Sequence, residues 1–300
     1  MISRDISDKV RHLATKFPVV TLTGVRQSGK STLLKNMFPE YRYVSLEDPD
    51  FRKFASEDGR GFLYSMGDKV IIDEAQRVPD LFSYIQGRVD ATNQEGMYML
   101  SGSSNFLLME SISQSLAGRA AVLKMTPFST HELVAGNIDL SIDDYLYTGS
   151  FPRIYDKSIA AADYYPSYIE TYVERDVRML KNITNTSTFM RFIRLCAGRI
   201  GQLLNISSLA NECGISIPTA QSWLSVLESS YLIYLLKPYY RNFNKRLVKS
   251  PKLYFCDTGL ASALLGMNNS NQMAMHFMRG EIFENMVINE CIKYFYNNGK

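Results

Sequence analysis

Cysteine and histidine are scarce in this 300-residue chain, at four and three residues. Cys196, Cys213, Cys256 and Cys291 lie far apart, with neither a C-x-x-C pair nor zinc-ligand spacing, which excludes a disulfide scaffold and a zinc module. The thiols are expected to be reduced, buried, small hydrophobes. An excess of either charge is missing too. The 33 basic and 30 acidic side chains leave a net charge of +3, so no overall field draws the protein to nucleic acid or a membrane, and any basic partner site must be local. No apolar run approaches the ~18 residues that cross a bilayer. Met1-Ile2-Ser3-Arg4-Asp5 lacks the apolar core of a secretion signal, and a cytoplasmic protein without a membrane partner is expected. What the chain does have is 46% hydrophobic residues over a length that suggests about two domains, the profile of a globular protein with well-packed cores.

Within that profile, Gly24-Val25-Arg26-Gln27-Ser28-Gly29-Lys30-Ser31 fits the phosphate-binding template G-x-x-x-x-G-K-[ST] at every fixed position. Ahead of it, Val19-Val20-Thr21-Leu22-Thr23 reads as a buried strand; behind it, Ser31 to Met37 reads as a helix that Pro39 stops. Gly24 and Gly29 permit backbone conformations closed to residues with a Cβ, so the amides from Gly29 to Thr32 can turn toward a phosphate chain at a positive helix end. Lys30 would reach the β- and γ-phosphates, Arg26 adds a second positive charge, and the Ser31 hydroxyl would ligate Mg²⁺, a hard cation that prefers oxygen.

The rest of the first half repeats a β-α rhythm. Residues 1 to 16 carry Ile2, Ile6, Val10 and Leu13 at helical spacing, a stripe expected to lean on the nucleotide domain. Tyr43-Val44-Ser45-Leu46 reads as a second strand, and Glu47-Asp48-Pro49 as a turn into a helix. Lys69-Val70-Ile71-Ile72-Asp73-Glu74 is an apolar strand that stops on two carboxylates. Such sheets present ligands beyond the carboxyl ends of their strands, so Asp73 is assigned to the metal shell and Glu74 to the general base that activates water. Met97-Tyr98-Met99-Leu100-Ser101-Gly102-Ser103-Ser104-Asn105 ends a third strand in hydroxyls, where Ser103 either contacts the γ-phosphate or the attacking water, or is a plain helix cap. Arg119 precedes the strand-like Ala121-Val122-Leu123-Lys124-Met125. It either meets the charge that phosphoryl transfer concentrates, in cis or from a neighbouring subunit, or is a solvated surface arginine.

Taken together, the phosphate loop, Val44-Ser45-Leu46-Glu47-Asp48, Ile71-Ile72-Asp73-Glu74-Ala75-Gln76, Leu100-Ser101-Gly102-Ser103-Ser104 and Ser115-Leu116-Ala117-Gly118-Arg119 resemble the prokaryotic AAA-type ATPases that carry a C-terminal domain of unknown function. Thr171-Tyr172-Val173-Glu174-Arg175-Asp176-Val177 and Gly280-Glu281-Ile282-Phe283-Glu284-Asn285 extend the resemblance over nearly the whole chain. It implies an α/β P-loop NTPase core with a parallel sheet flanked by helices, then a helical segment, then a winged helix. It implies no defined cellular role.

The expected division is a P-loop ATPase core over residues 1–140, a helical segment over 141–202, a winged helix-turn-helix domain over 203–265 and, over 266–300, the start of a further domain. Ser158 to Ile183 reads as one long helix rich in tyrosine, carrying Glu174-Arg175-Asp176, with Arg175 as a second, weaker arginine candidate. Ser207 to Cys213, a Gly214 turn, Ile217 to Ser229 and a strand over Tyr231 to Leu236 form the helix-turn-helix and wing, cored by Ala210, Ile215, Ala220, Trp223, Leu224 and Leu227. The second of these helices has no Lys or Arg. The basic residues follow it, at Lys237, Arg241, Lys245, Arg246, Lys249 and Lys252, with Tyr239, Tyr240 and Phe243 among them, a wing that grips DNA backbone without reading sequence or a purely structural or protein-contact module. Arg279 to Lys300 is an amphipathic helix with Phe283, Val287, Cys291 and Phe295 on one face. In the proteins this chain resembles, such a helix opens a domain like a degraded restriction endonuclease; here it stops at Lys300 with no Asp followed by Glu-x-Lys after Glu281 and Glu284, and the domain is read as truncated.

The function expected from these residues is a Mg²⁺-dependent ATPase acting as a nucleotide-driven switch, slow without a partner, with ATP as its ligand and with DNA, a protein or a second copy of the chain as the alternatives for that partner. A guanine-specific enzyme is disfavoured because Asn244-Lys245-Arg246-Leu247 lacks the Asp of the guanine-reading motif, and a small-molecule kinase would want a basic lid rather than a winged helix. The alternative is a DNA- or protein-binding regulator that holds nucleotide as a structural ligand with negligible turnover. Glu74 weighs against it, since a regulator needs no base.

Overall fold

A computed structural model describes residues 2–103, 108, 112–172, 183, 185–239 and 250–300. They form two compact units, one of residues 2–127 with 293–300 and one of residues 128–292. Among the described residues no helix is long and apolar enough to cross a membrane.

The first unit is built on β1 (Val19–Gly24), β2 (Arg42–Ser45), β3 (Val70–Asp73), β4 (Tyr98–Gly102) and β5 (Ala120–Met125), all parallel in the order β2-β3-β4-β1-β5. Strands covered on both faces must be apolar along their whole length, and β1, β3 and β4 are buried at every position. Alternate residues feed two separate cores. Val20, Leu22, Ile71 and Met99 point to one face, where Ile6, Val10 of α1 (Ser7–Ala14) and Leu33 and Leu34 of α2 (Lys30–Met37) cover them. Val19, Ile72, Tyr98 and Leu100 point to the other, beneath Phe62 and Leu63 of α4 (Gly59–Met66) and Leu81, Phe82 and Ile85 of α5 (Leu81–Thr92), with α3 (Pro49–Glu57) preceding α4. The amino-terminal stripe thus leans on the sheet as expected. Because all five strands run the same way, their carboxyl ends, and the loops that follow, share one edge.

The second unit is helical: α6 (Thr130–Ala135), α7 (Ile142–Thr148), α8 (Pro152–Asp156), α9 (Ala161–Tyr168), α10 (Thr186–Ala197), α11 (Ile206–Cys213), α12 (Ile217–Ser229), the antiparallel pair β6 (Ile233–Leu236) and β7 (Lys252–Phe255), then α13 (Thr258–Leu264), α14 (Ser270–Met275) and most of α15 (Arg279–Asn297). Its centre is aromatic, with Phe151 in ring contact with Tyr164, Tyr165 and Tyr168, and Tyr164 in contact with Tyr165 and Tyr168. Asp257 is buried beside them and accepts from Ser150 N, Ser150 Oγ, Tyr165 OH and Leu260 N, capping α13.

Three expectations are corrected here. The helix read over Ser158 to Ile183 is broken at its start: Ser158 has φ +51°, a left-handed value that interrupts a right-handed helix, and α9 begins at Ala161. Arg175 and its charged neighbours, with residues 173–182, lie outside the described residues. The strand read from Tyr231 begins at Ile233, because Tyr231 turns at φ +57°. Finally, α15 buries a polar stripe, Asn285, Asn289, Lys293 and Asn297, and leaves the apolar Phe283, Val287 and Phe295 exposed; with them Cys291 is exposed, while the other three cysteines are buried. Asn285 earns its buried place by bonding both backbone groups of Phe255, from its N–H at 2.7 Å and to its carbonyl at 2.9 Å, as a neighbouring strand would.

Candidate nucleotide site

The loop between β1 and α2 is shaped by positions only glycine fills well. Gly24 sits at φ +134°, and a Cβ there would lie 2.0 Å from the Met125 carbonyl oxygen of β5. Gly29, at φ +94°, precedes α2 without a side chain to cap it, and the first helical bond runs from Leu33 N to Gly29 O at 2.9 Å. The amides of Lys30, Ser31 and Thr32 therefore have no acceptor one turn back and form the positive end of the helix. Gln27 adds a left-handed turn at φ +63°. The loop is held from behind by Arg4, whose buried guanidinium donates to Ser28 O at 2.8 Å and to Thr126 O, past the end of β5, at 2.6 Å.

Lys30 is buried and folded back on the loop, its Nζ donating to Gly24 O at 3.1 Å and Val25 O at 2.9 Å. Burial brings its pKa down to about 8, against the pull of Glu74 and Asp73, which favour the charged form. Asp73, at the end of β3, is a convergence point: it accepts from Ser31 Oγ at 2.8 Å, Tyr43 OH at 2.9 Å and Ser101 Oγ at 2.5 Å. Its nearness raises the Tyr43 hydroxyl pKa, after burial, the larger cause. The pairing follows from strand order, since β2 and β4 both flank β3 and deliver Tyr43 and Ser101 to its two sides. Glu74 follows at φ +53°, held by Gln76 Nε2 at 2.5 Å and with Ser103 Oγ 3.4 Å from both carboxylate oxygens. Burial pushes its pKa up while Lys30 draws it down. At the loop's flank, Glu47 faces Arg26 at 4.0 Å and Arg77 at 3.2 Å.

The donor set fits a hard divalent ion. Among the described residues no three His, Cys, Asp or Glu side chains form a metal cage, so such an ion would rest on one carboxylate, one hydroxyl and the phosphates themselves, the usual manner for Mg²⁺. The 2.8 Å between Ser31 Oγ and Asp73 Oδ2 is close to the edge of an octahedron with ligands at about 2.0–2.1 Å.

Gly24, Val25, Arg26, Gln27, Ser28, Gly29, Lys30, Ser31 and Thr32 with Asp73, Glu74 and Ser103 are thus gathered at one edge of the sheet. Arg119 is not. It precedes β5 where Ala120 pairs with Val19, at the opposite edge from Gly24 and Met125, about 16 Å away at ~3.3 Å per residue. There it forms a two-pronged pair with Asp90, at 2.5 and 2.8 Å. Of the basic residues read as a DNA contact, Lys237 is exposed, Lys252 donates to Glu284 at 2.9 Å, and Arg241, Lys245, Arg246 and Lys249 lie outside the described residues. Four site residues escaped the sequence reading. Tyr43, Ser101 and Gln76 sit inside or beside recognised strands and carry a polar group at a position the pattern assigns only to burial; Arg4 carries no local signal at all.

Two family models match the chain, one described as an AAA domain over residues 16–134 and one as a domain of unknown function (DUF8612) over residues 139–271. Uncharacterized proteins of Mycobacterium tuberculosis and Mycobacterium bovis are each 30% identical over 291 residues, 96% of this chain. The chain spans 65% of the length of these relatives. Among solved structures, the Walker-type ATPase PABY2304 of Pyrococcus abyssi superposes with a TM-score of 0.55 at 15% identity, covering 88% of this chain and 96% of that one, a likeness of fold.

Proposed function

Because the chain belongs to the prokaryotic AAA-type P-loop ATPases that carry a C-terminal domain of unknown function, we propose that it binds and hydrolyses ATP with Mg²⁺ and that its nucleotide state works as a switch. The observation that carries this reading is the convergence on Asp73 and Glu74 of the loop's Ser31 and the strand-end Ser101 and Ser103, beside the buried Lys30. A pure binding protein needs the first carboxylate and the loop; only turnover calls for the second.

The roles follow from the chemistry of each group. The amides of Lys30, Ser31 and Thr32 receive phosphate oxygens, and Lys30 exchanges two carbonyls for them, a gain for an ammonium that burial has made costly to keep charged. Ser31 and Asp73 would hold Mg²⁺, which when bound supplies positive charge against the phosphate oxygens. Glu74 orients a water and takes its proton, and Ser103 bonds the same carboxylate or the water beside it. Arg119 is left for action in trans, since a neighbouring subunit is the one route by which a residue at that edge reaches a nucleotide.

We read α11, the Gly214 turn, α12 and the β6–β7 pair as a winged helix, supported by the left-handed φ of +74° at Gly214 and the burial of Ala220, Trp223, Leu224 and Leu227. DNA contact through Lys237 and the basic stretch after it, a protein partner, and a cytoplasmic location complete the proposal. The test is phosphate release from ATP and GTP with Mg²⁺ by wild type, Lys30→Ala and Glu74→Gln, with and without double-stranded DNA. Expected are ATP turnover by wild type, lost binding in Lys30→Ala, and binding with only a residual turnover in Glu74→Gln; a rise with DNA supports the basic contact. Equal rates for wild type and Glu74→Gln would refute the hydrolase and favour a regulator that keeps nucleotide as a structural ligand.

A further inference from the structure

The motifs that end β3 and β4 are joined by one side chain that neither an ATP-binding loop nor a metal shell requires. Gln76 lies on the 3-10 turn Ala75–Arg77, is buried, and donates from Nε2 to Glu74 Oε2 at 2.5 Å. A carboxylate accepts only, so the N–H end of the amide must face Glu74, and this turns Oε1 toward β4. A Cβ on Gly102 would lie 2.1 Å from that oxygen. Gly102 has no positive φ, so the backbone does not demand glycine there; room for the Gln76 amide does. Oε1 is buried with no hydrogen-bond partner among the described residues, so a weak C–H···O contact from Gly102 is what that side offers it.

Glu74 needs such a partner. Its φ of +53° is one a residue with a side chain keeps only when its surroundings over-determine it. Lys30 and Arg26 both attract its carboxylate. An ion pair closed with Lys30 would take the base and the phosphate-binding lysine out of use together, and a neutral donor on the same turn prevents it.

Resting on the hydrolase reading above, we propose that Gln76 is the positioning residue of Glu74: its amide, seated against Gly102, fixes the carboxylate in the orientation from which it removes a proton from water. The dipeptide spacing Glu74-x-Gln76 and the glycine of Ser101-Gly102-Ser103 are then two halves of one device.

The experiment compares steady-state ATP hydrolysis with binding of a non-hydrolysable ATP analogue and Mg²⁺, in wild type, Gln76→Met, Gly102→Ala, Glu74→Gln and each of the first two combined with Glu74→Gln. Gln76→Met keeps the side-chain volume and lowers kcat about 10–100-fold, the effect of misplacing a reacting group by an ångström or less, with KM and analogue Kd within about twofold. Gly102→Ala does the same by a different route, since the two atoms nearest the new Cβ, at 2.1 and 3.1 Å, are the flexible end of Gln76, with Leu108 Cδ2 next at 3.2 Å. Neither change costs anything further in Glu74→Gln, because the residue acts only through that carboxylate. An unchanged or raised kcat in Gln76→Met, with Glu74→Gln still impaired, overturns the positioning role and leaves the hydrolase standing. A further loss on top of Glu74→Gln, or a Kd that moves with kcat, also overturns it. A wild type no faster than Glu74→Gln removes the hydrolase reading and the proposal with it.

Discussion

Arg4→Met should loosen the phosphate loop without touching it. Arg4 is 7% exposed, and its guanidinium bridges two carbonyls far apart in sequence, Ser28 O in the loop and Thr126 O beyond β5. Hydrogen bonds to a charged group are worth about 1.5–3 kcal/mol each, so these two together are worth roughly 3–6 kcal/mol. Methionine keeps the packing of the stem and removes the cost of burying a cation, so the net loss should be nearer ~2 kcal/mol. At an m-value of about 2 kcal/mol/M the urea midpoint falls by ~1 M. Arg4→Lys, which can reach one carbonyl but not both, should fall between. The loop then pays part of its ordering on binding, and nucleotide Kd should rise about tenfold, equivalent to ~1.4 kcal/mol. The assay is urea unfolding beside fluorescent-nucleotide titration. A midpoint and Kd for Arg4→Met equal to wild type would refute the staple, and so would a lower midpoint with unchanged Kd.

Gly24→Ala should cost both stability and nucleotide binding, because a Cβ 2.0 Å from Met125 O forces apart the last register pair of β1 and β5; a loss of about 1–3 kcal/mol from backbone strain alone is expected by chemical denaturation. Asp257→Ala leaves the donors of Ser150, Tyr165 and Leu260 facing an apolar site, and about 3–5 kcal/mol should be lost, read as a fall in Tm, with Asp257→Asn in between. Thiol titration with an aromatic disulfide should find one fast-reacting cysteine, Cys291, and three released only on unfolding; burial also pushes the Cys196 thiol pKa up and removes its thiolate.

The loop, the strands and the two carboxylates were legible in sequence because their causes are local. Gly24 and Gly29 answer to backbone conformation, Val70-Ile71-Ile72 to burial on two faces, and Asp73-Glu74 to the rule that parallel sheets present ligands at their carboxyl ends. The same local logic placed α2 and α12 closely and failed at Ser158, where a left-handed residue with no glycine signal breaks an otherwise helical pattern.

By itself, then, the sequence determined that a phosphate loop, a metal-shell carboxylate and a candidate base stand at strand ends. Which strand ends are neighbours was decided by the order β2-β3-β4-β1-β5, a matter of pairing between residues tens of positions apart. That order brings Tyr43 and Ser101 to Asp73, seats Gln76 on Gly102 and Arg4 behind Ser28, and sends Arg119 to the far edge. It also took the tertiary structure to turn α15 with Asn285, Asn289 and Lys293 inward, since a hydrophobic period tells that a helix has two faces and the available partners decide which one is buried.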